Sequence, residues 1–485
     1  MNDGMGRDAV RLTIAKVFTM VIGLVTAMLL SHFRTLEEYG SFSQVQTVVN
    51  LVVALFVLGL PNSVSYFLVR AETGDEKREF LSNYLTLSTA ISLVVGVLIY
   101  LATPLIERYY DNAYLSTLAF VFALLPWVNI TFGGFDNIMV VYHRTRLLMV
   151  FKIIMSVFLL MPILIVEWLG WTFHTYMILY LGVQAAFAVA IYVIVAQASG
   201  GVRPRISGTL LKRVLVFSVP LGLASVVGTW NIELGKLVVG RLMTTDALAI
   251  YSNASRELPI TLITASMTAV LMPRIVHRAK EARYGDAVGL WGDATVISYY
   301  VVCFFAAACI VAAPQMMAFL YSDKYLPGVP VFQVYGVVLL MRTTYFGMIL
   351  NAIGKTKLVF ASSVLALVLN VALSIPFFYL FGMIGPAIAA LVSIMATGVF
   401  QLFFTGRDIK VGFARIMPWR ALGGVTAINV GLGAAAFGAM RLLGVGTGWV
   451  DLAKTMAIGC VWFGVYALVI SKSFRVRWTR MNVVD

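Results

Sequence analysis

The residues of this chain that could do chemistry are few, and most are charges placed where charge is expensive. Asp136, Glu233, Lys236, Arg256, Glu257, Asp293 and Arg342 all fall inside long apolar stretches. A charged side chain at the middle of a bilayer costs about 2.5–3.5 kcal/mol, so each of these needs a wet cavity or a partner. Arg256 stands out. It lies about ten residues past a polar turn, or ~15 Å along a helix, and its neighbour Glu257 points to a different face. A guanidinium in a cavity suits phosphate or diphosphate, with which it makes forked, charge-assisted bonds. The alternative is a structural ion pair with Glu233 or Asp136, and the sequence leaves both readings open. Lys236 and Arg342 are candidates for the same cationic wall, although the ion-pair reading weighs slightly more for them. Arg34 and Arg241, at matching outer turns, read as interfacial anchors that reach for water.

A second constellation is polar. Asn370 and Ser374 are four residues apart, as are Ser393 and Thr397, so each pair shares a helix face. Together with Glu233 they offer hard oxygen ligands to a small cation such as Na⁺. The plainer alternative is hydrogen bonding across helices or back to their own backbone. Enzyme signatures are missing: there is no HExxH, GxSxG, Walker motif, CxxC, or GxGxxG after a strand. The acids of the outer turns (Glu107, Asp111, Asp323) are isolated, so the chain is expected not to be an enzyme. Cys303, Cys309 and Cys460 sit within apolar runs and read as small hydrophobes.

The elements that must position these residues are membrane helices. Of 485 residues, 60% are hydrophobic and only 12% charged, with a mean hydropathy of +0.91, whereas soluble chains carry about 25% charged residues. Some fourteen spans fit, from 13–33 to 449–471, each long enough to cross about 30 Å of hydrocarbon. In order they are 13–33, 43–69, 80–103, 113–141, 147–167, 173–197, 210–239, 246–273, 287–313, 328–353, 357–380, 384–405, 416–441 and 449–471, and the candidates lie in the first, the fourth and the seventh to twelfth. Arg7, Arg11 and Lys16 precede the first run, and no cleavage site follows it, so it reads as a retained span. With the N-terminus inside, most of the 36 lysines and arginines fall in inner segments. Only Arg34, Arg108, Lys236, Arg241, Lys324, Arg441 and Lys454 fall in outer ones. Both termini are therefore predicted to be cytoplasmic. The net charge of +14 is then topology, and nucleic acid is not implied.

The chain also repeats. TLEEYGSFS (Thr35–Ser43) and TTDALAIYS (Thr244–Ser252) share a layout, with Glu37 answering Asp246 and Phe42 answering Tyr251. PLIERYYDNAYL (Pro104–Leu115) and PQMMAFLYSDKYL (Pro314–Leu326) echo each other at nearly the same offset. Two matches at one period predict a duplicated six-helix bundle. The basic, Gly- and Pro-bearing ASGGVRPRIS (Ala198–Ser207) reads as the linker between the halves. We therefore expect an N-terminal lobe over 1–198, a linker at 199–209, a C-terminal lobe over 210–405, and two further helices with a basic tail over 406–485. Ala427, Gly431, Ala435 and Ala439 make a small-residue stripe suited to close helix packing. Pro220 and Pro259 are candidate hinges, with static kinks as the plainer reading. Tyr109, Tyr110, Tyr321 and Tyr325 suit an interfacial belt.

LSHFRTLEEYGSFS followed by LGLPNSVSYFLVR, with the echo GRLMTTDALAIYSNASRELP, resembles polysaccharide-export flippases of the Wzx type. These belong to the multidrug/oligosaccharidyl-lipid/polysaccharide (MOP) exporter superfamily. The resemblance implies a bacterial cytoplasmic (inner) membrane protein that moves a polyprenyl-pyrophosphate-linked oligosaccharide to the outer leaflet by alternating access, beside a polysaccharide polymerase and glycosyltransferases. It raises Arg256, and more weakly Lys16 and Lys236, as substrate contacts in a cationic cavity. It also matches Glu233, Asn370, Ser374 and Thr397 to the Na⁺ site of related peptidoglycan-precursor flippases, although a serine at 374 binds a cation less well than an acid. No cofactor is implied beyond Na⁺ or H⁺ as a coupling ion. The rivals are a cation-coupled multidrug exporter of the same superfamily and a membrane glycosyltransferase.

Overall fold

The computed structural model describes residues 2–256 and 260–483, and among these there is no β-strand. The helices are α1 (Asn2–Phe33), α2 (Leu36–Val57), α3 (Leu60–Arg70), α4 (Gly74–Tyr110), α5 (Tyr114–Thr117), α6 (Ala119–Val141), α7 (Thr145–Trp168), α8 (Phe173–Ser199), α9 (Gly208–Leu242) and α10 (Thr245–Ala254). They continue as α11 (Thr261–Lys280), α12 (Tyr284–Val311), α13 (Ala313–Tyr321), α14 (Val329–Thr343), α15 (Met348–Ala352), α16 (Thr356–Phe381), α17 (Gly385–Ile409), α18 (Phe413–Ile416), α19 (Trp419–Leu442) and α20 (Trp449–Val483). Twelve described segments are long and apolar enough to cross a membrane. One of them, Thr356–Ile409, holds both α16 and α17, which pack as a hairpin. The all-α polytopic fold is as expected.

Four expected spans are interrupted, the fourth span near its start, at Leu118 between α5 and α6. The second divides into α2 and α3 at Leu58 and Gly59, both left-handed with φ of 40° and 71°, and Pro61 opens α3. Glycine accepts that conformation without strain, and proline suits a first helical turn. The eighth stops as α10 at Ala254 and resumes as α11 at Thr261. The tenth stops as α14 at Thr343 and resumes as α15 at Met348. Pro220, by contrast, sits within α9, which is continuous from Gly208 to Leu242. Pro259 lies outside the described residues.

The chain packs as two compact units, Met1–Ala249 and Ile250–Asp485. The linker at 199–209 separates α8 from α9, yet α9 packs against α2, α3 and α4, so the packing boundary falls within α10. In the first unit Leu60, Val64 and Leu68 of α3 pack with Phe80 and Leu81 of α4 and Phe135 and Met139 of α6. In the second, α12 is central. Trp291, Ala294, Tyr300 and Cys303 face a core shared with α11, α17, α19 and α20. Its apolar window is 67% buried, against 11% for those of α1 and α20. Cys303 and Cys309 are buried on α12, and Cys460 is exposed on α20.

Several charges inside spans are structural pairs. Lys152 holds Asp136 at 2.8 Å, and Arg477 holds Asp293 at 2.5 Å. Arg34 is buried rather than reaching outward: its guanidinium donates to Glu167 (3.1 Å) and to the Trp171 carbonyl (3.3 Å), clamping the α1–α2 corner to the α7–α8 turn. Tyr110, Tyr321 and Tyr325 are also fully buried and pack inside the protein instead of forming a belt.

Candidate functional site

The repeated turns perform the same task in both places. Thr35 caps α2 by accepting from the Glu38 N–H, with Glu38 bonding back to the Thr35 N–H. Thr244 caps α10 in the same way, accepting from the Ala247 N–H at 3.3 Å. A short polar hydroxyl is needed there because the first N–H groups of a helix have no partner within it.

From the first of these turns runs a polar seam within unit 1. Ser41, Gln44 and Thr47 are buried on α2 at a spacing of three, with Asn50 next in line. Asn112, just past α4, donates to Ser41 Oγ (2.9 Å) and Gln44 Oε1 (2.7 Å). Gln44 in turn donates to Thr245 Oγ1 at 3.4 Å. Further along, Asn50 donates to Glu233 Oε1 (3.0 Å), while Thr47 (3.4 Å) and Lys236 (2.9 Å) donate to Glu233 Oε2. Glu233 is 5% exposed and is thus a buried carboxylate with three donors. Such satisfaction is what allows a charge to persist away from water.

Two close backbone approaches, one to α9 and one to the start of α10, let α2 bring these groups together. A Cβ on Gly222 of α9 would fall 2.0 Å from the Leu58 carbonyl carbon, and one on Gly40 would fall 2.2 Å from the Thr245 carbonyl oxygen. The interruption of the second span at Leu58–Gly59 therefore lies against α9 two residues from Pro220. The sequence marks that interruption with the triplet of Gly59, Leu60 and Pro61 and the seam with the three-residue polar spacing on α2, while Pro220 remains a candidate hinge within a continuous α9.

The remaining candidates fall at helix ends or on seams of their own. Lys16 is exposed on α1. Arg256, half-buried, stands two residues past the end of α10, where its N–H donates to the Asn253 carbonyl. Arg342 occupies the last turn of α14. Both sit at helix C-termini, whose unsatisfied carbonyls favour a cation. Ile260, just before α11, packs against the small cluster of Val302, Ala306 and Leu339. The two carboxylates weighed as partners for Arg256 are engaged inside unit 1, Glu233 by Lys236 and Asp136 by Lys152. Ser374 donates to Asn370 Oδ1 at 3.1 Å, and both are buried on α16. Thr397 donates to the carbonyls of Ser393 (3.0 Å) and Ser362 (3.4 Å), and Gln401 to Ser362 Oγ (2.7 Å), which ties α17 to α16. No group of three or more His, Cys, Asp or Glu side chains among the described residues could hold a metal ion.

Comparison with solved structures finds the same fold in transporters. A lipid II flippase, MurJ, in an inward closed conformation matches with a TM-score of 0.76 at 17% identity, over 95% of this chain and 98% of that one. An inward-facing multidrug resistance MATE family transporter of the MOP superfamily matches with a TM-score of 0.67 at 15% identity, over 83% and 99%. A Vibrio cholerae MATE transporter matches with a TM-score of 0.58 at 13% identity, over 86% and 98%. A search of curated proteins finds no match. The family resemblance read from the turns and the span pattern is borne out by the remaining comparison. The sequence model of the polysaccharide biosynthesis protein family matches residues 5–279, more than half of the 485, and the chain belongs to that family.

Proposed function

We propose that this chain is a flippase that carries a polyprenyl-pyrophosphate-linked oligosaccharide from the cytoplasmic to the outer leaflet of the bacterial inner membrane by alternating access. The observation that carries the reading is Arg256, a guanidinium set at the interruption between α10 and α11 in a member of a polysaccharide biosynthesis family. A broken span offers polar backbone at membrane depth, which is tolerated where it lines a cavity rather than lipid. Arg256 meets the diphosphate there, with Arg342, Lys236 and Lys16 adding positive charge along the path. The polyprenyl tail stays in lipid, which spares it about 0.8 kcal/mol per CH₂ of exposure. The bias of lysine and arginine towards the connections on the N-terminal side supports cytoplasmic termini. A polysaccharide polymerase and glycosyltransferases are the partners such a step requires.

For coupling, the oxygen donors a Na⁺ or H⁺ would use are Glu233 in the first unit and Asn370, Ser374 and Thr397 in the second. Pro220 and the Leu58–Gly59 interruption are where the first unit would bend. The fold shared with MATE family transporters favours one rival, a cation-coupled multidrug exporter. The test is flipping of a fluorescent polyprenyl-diphosphate sugar in proteoliposomes, wild type against Arg256→Ala, with melting temperature measured in parallel. The expected result is that the wild type flips and the folded variant does so at least tenfold more slowly. Normal flipping by Arg256→Ala would make that arginine structural. A wild type that is inert towards the lipid yet moves a cationic dye would put the exporter in its place.

A further inference from the structure

At the end of unit 1 that the charge bias places in the cytoplasm, the last turn of α3, the start of α4 and the first turns of α9 line an open cavity of about 950 Å³. That is the size of a site for a small organic ligand. Three cations line it: Arg70, Lys212 and Arg213. Arg70 lies over the Tyr66 ring, 3.9 Å from its centroid, and bonds the Tyr66 hydroxyl. Tyr66 in turn stacks on Phe217, with centroids 4.2 Å apart and planes at 26°. The lining also holds two carboxylates, each with one partner and lone pairs to spare. Glu79 pairs with Arg205 at 3.5 Å, and Glu76 accepts from the Glu72 N–H at 2.9 Å. Lys212 and Arg213 make no ion pair among the described residues, so the cavity keeps their positive charge for a ligand.

We infer that this cavity binds a diphosphate-linked sugar. Lys212 and Arg213 would hold the phosphates, since forked guanidinium bonds and a mobile ammonium both suit phosphate oxygens. Phe217, which has one face against Tyr66, offers its other side as an apolar wall for the C–H face of a sugar ring, and the free lone pairs of Glu76 and Glu79 accept from its hydroxyls. Cations alone would suit any anionic headgroup; the aromatic wall and the acids select the sugar. The diphosphate sugar could come attached to a polyprenyl lipid, which would make the cavity a loading site and rests on the proposed function, or as a soluble nucleotide sugar.

The test uses the full chain in nanodiscs with Arg256→Ala already present, so that the membrane-depth arginine contributes nothing. The probes are a short-chain prenyl-diphosphate N-acetylglucosamine, a uridine-diphosphate sugar and inorganic diphosphate. Lys212→Gln/Arg213→Gln is expected to weaken the sugar probes at least tenfold, and the charge-keeping Lys212→Arg/Arg213→Lys to restore them. Phe217→Leu is expected to weaken the sugar probes several-fold and leave inorganic diphosphate unchanged. Preference for the prenyl probe assigns a loading site, and preference for the uridine probe assigns a nucleotide-sugar site. If the double glutamine variant melts normally and binds every probe as before, the inference fails. Flipping by the otherwise wild-type protein would then still uphold the proposed function. Binding without flipping would sink that function and leave the cavity standing.

Discussion

The two units are held together by different means, and α2 and α12 show the contrast. α2 buries Ser41, Gln44 and Thr47 and meets α9 through hydrogen bonds and glycine contacts. α12 buries Trp291, Ala294, Val296, Cys303 and Phe304 in an apolar core. Lipid tails are as apolar as these side chains, so neither helix gains from a hydrophobic effect between spans; both depend on packing and hydrogen bonds. A hydrogen bond across membrane helices contributes about 0.6 kcal/mol on average and can be exchanged for another. Interlocked rings must separate before they can move. The comparison teaches that α2 meets α9 through a polar seam and close backbone contacts, whereas α12 meets α19 and α20 through interlocked rings pinned by the Tyr299–Thr426 and Tyr300–Ser473 hydrogen bonds.

Substitutions can break this contrast, beginning with the largest effect. Gly222→Ala drives a methyl group into the Leu58 backbone, with no flexible side chain to yield. We expect loss of folded protein on size-exclusion chromatography. Gly228→Ala, on the same helix with nothing within 4 Å, should be neutral and serves as the control. Next, Trp291→Ala empties the centre of the α12 core and should cost about 3–5 kcal/mol. The melting temperature should fall while the remaining folded fraction flips at the wild-type rate.

Glu233→Gln sharpens the other side of the comparison. It leaves Lys236 facing a neutral amide; because that lysine is 23% exposed, the cost should be about 1–2 kcal/mol, below that of a fully buried broken pair. Adding Lys236→Met should recover part of it, and a double-mutant cycle in thermal melts would measure the coupling. Transport should fall further than stability if Glu233 couples an ion, and equally if it only joins two helices. Smallest is Thr47→Val, which removes a 3.4 Å hydrogen bond and should cost about 0.6 kcal/mol in the same melts.

Much of the architecture was legible in the chain. The matched turns at Thr35 and Thr244 were visible as letters, and both prove to be helix caps, because capping chemistry is local and admits few residue types. The long spans followed from hydropathy, because a helix is the only open segment that satisfies its own backbone in lipid. The interruptions were harder. Gly59 and Pro61 are punctuation, but Pro220 and Pro259 looked like punctuation too, and at Pro220 the helix continues. Arg34 was read as an anchor because its partners, Glu167 and Trp171, lie far along the sequence.

The sequence by itself determined that this chain is a helical membrane protein with a repeated turn and costly charges within its spans. Each of those properties depends on a residue's own transfer energy or its nearest neighbours. Only the tertiary structure decided that Glu233 answers to Asn50 and Lys236, that Asp136 belongs to Lys152, and that three cations and a stacked aromatic pair share one cavity. Those pairings depend on which helix faces meet. In lipid that is set by the fit of surfaces far apart in the chain, and hydropathy carries no record of it.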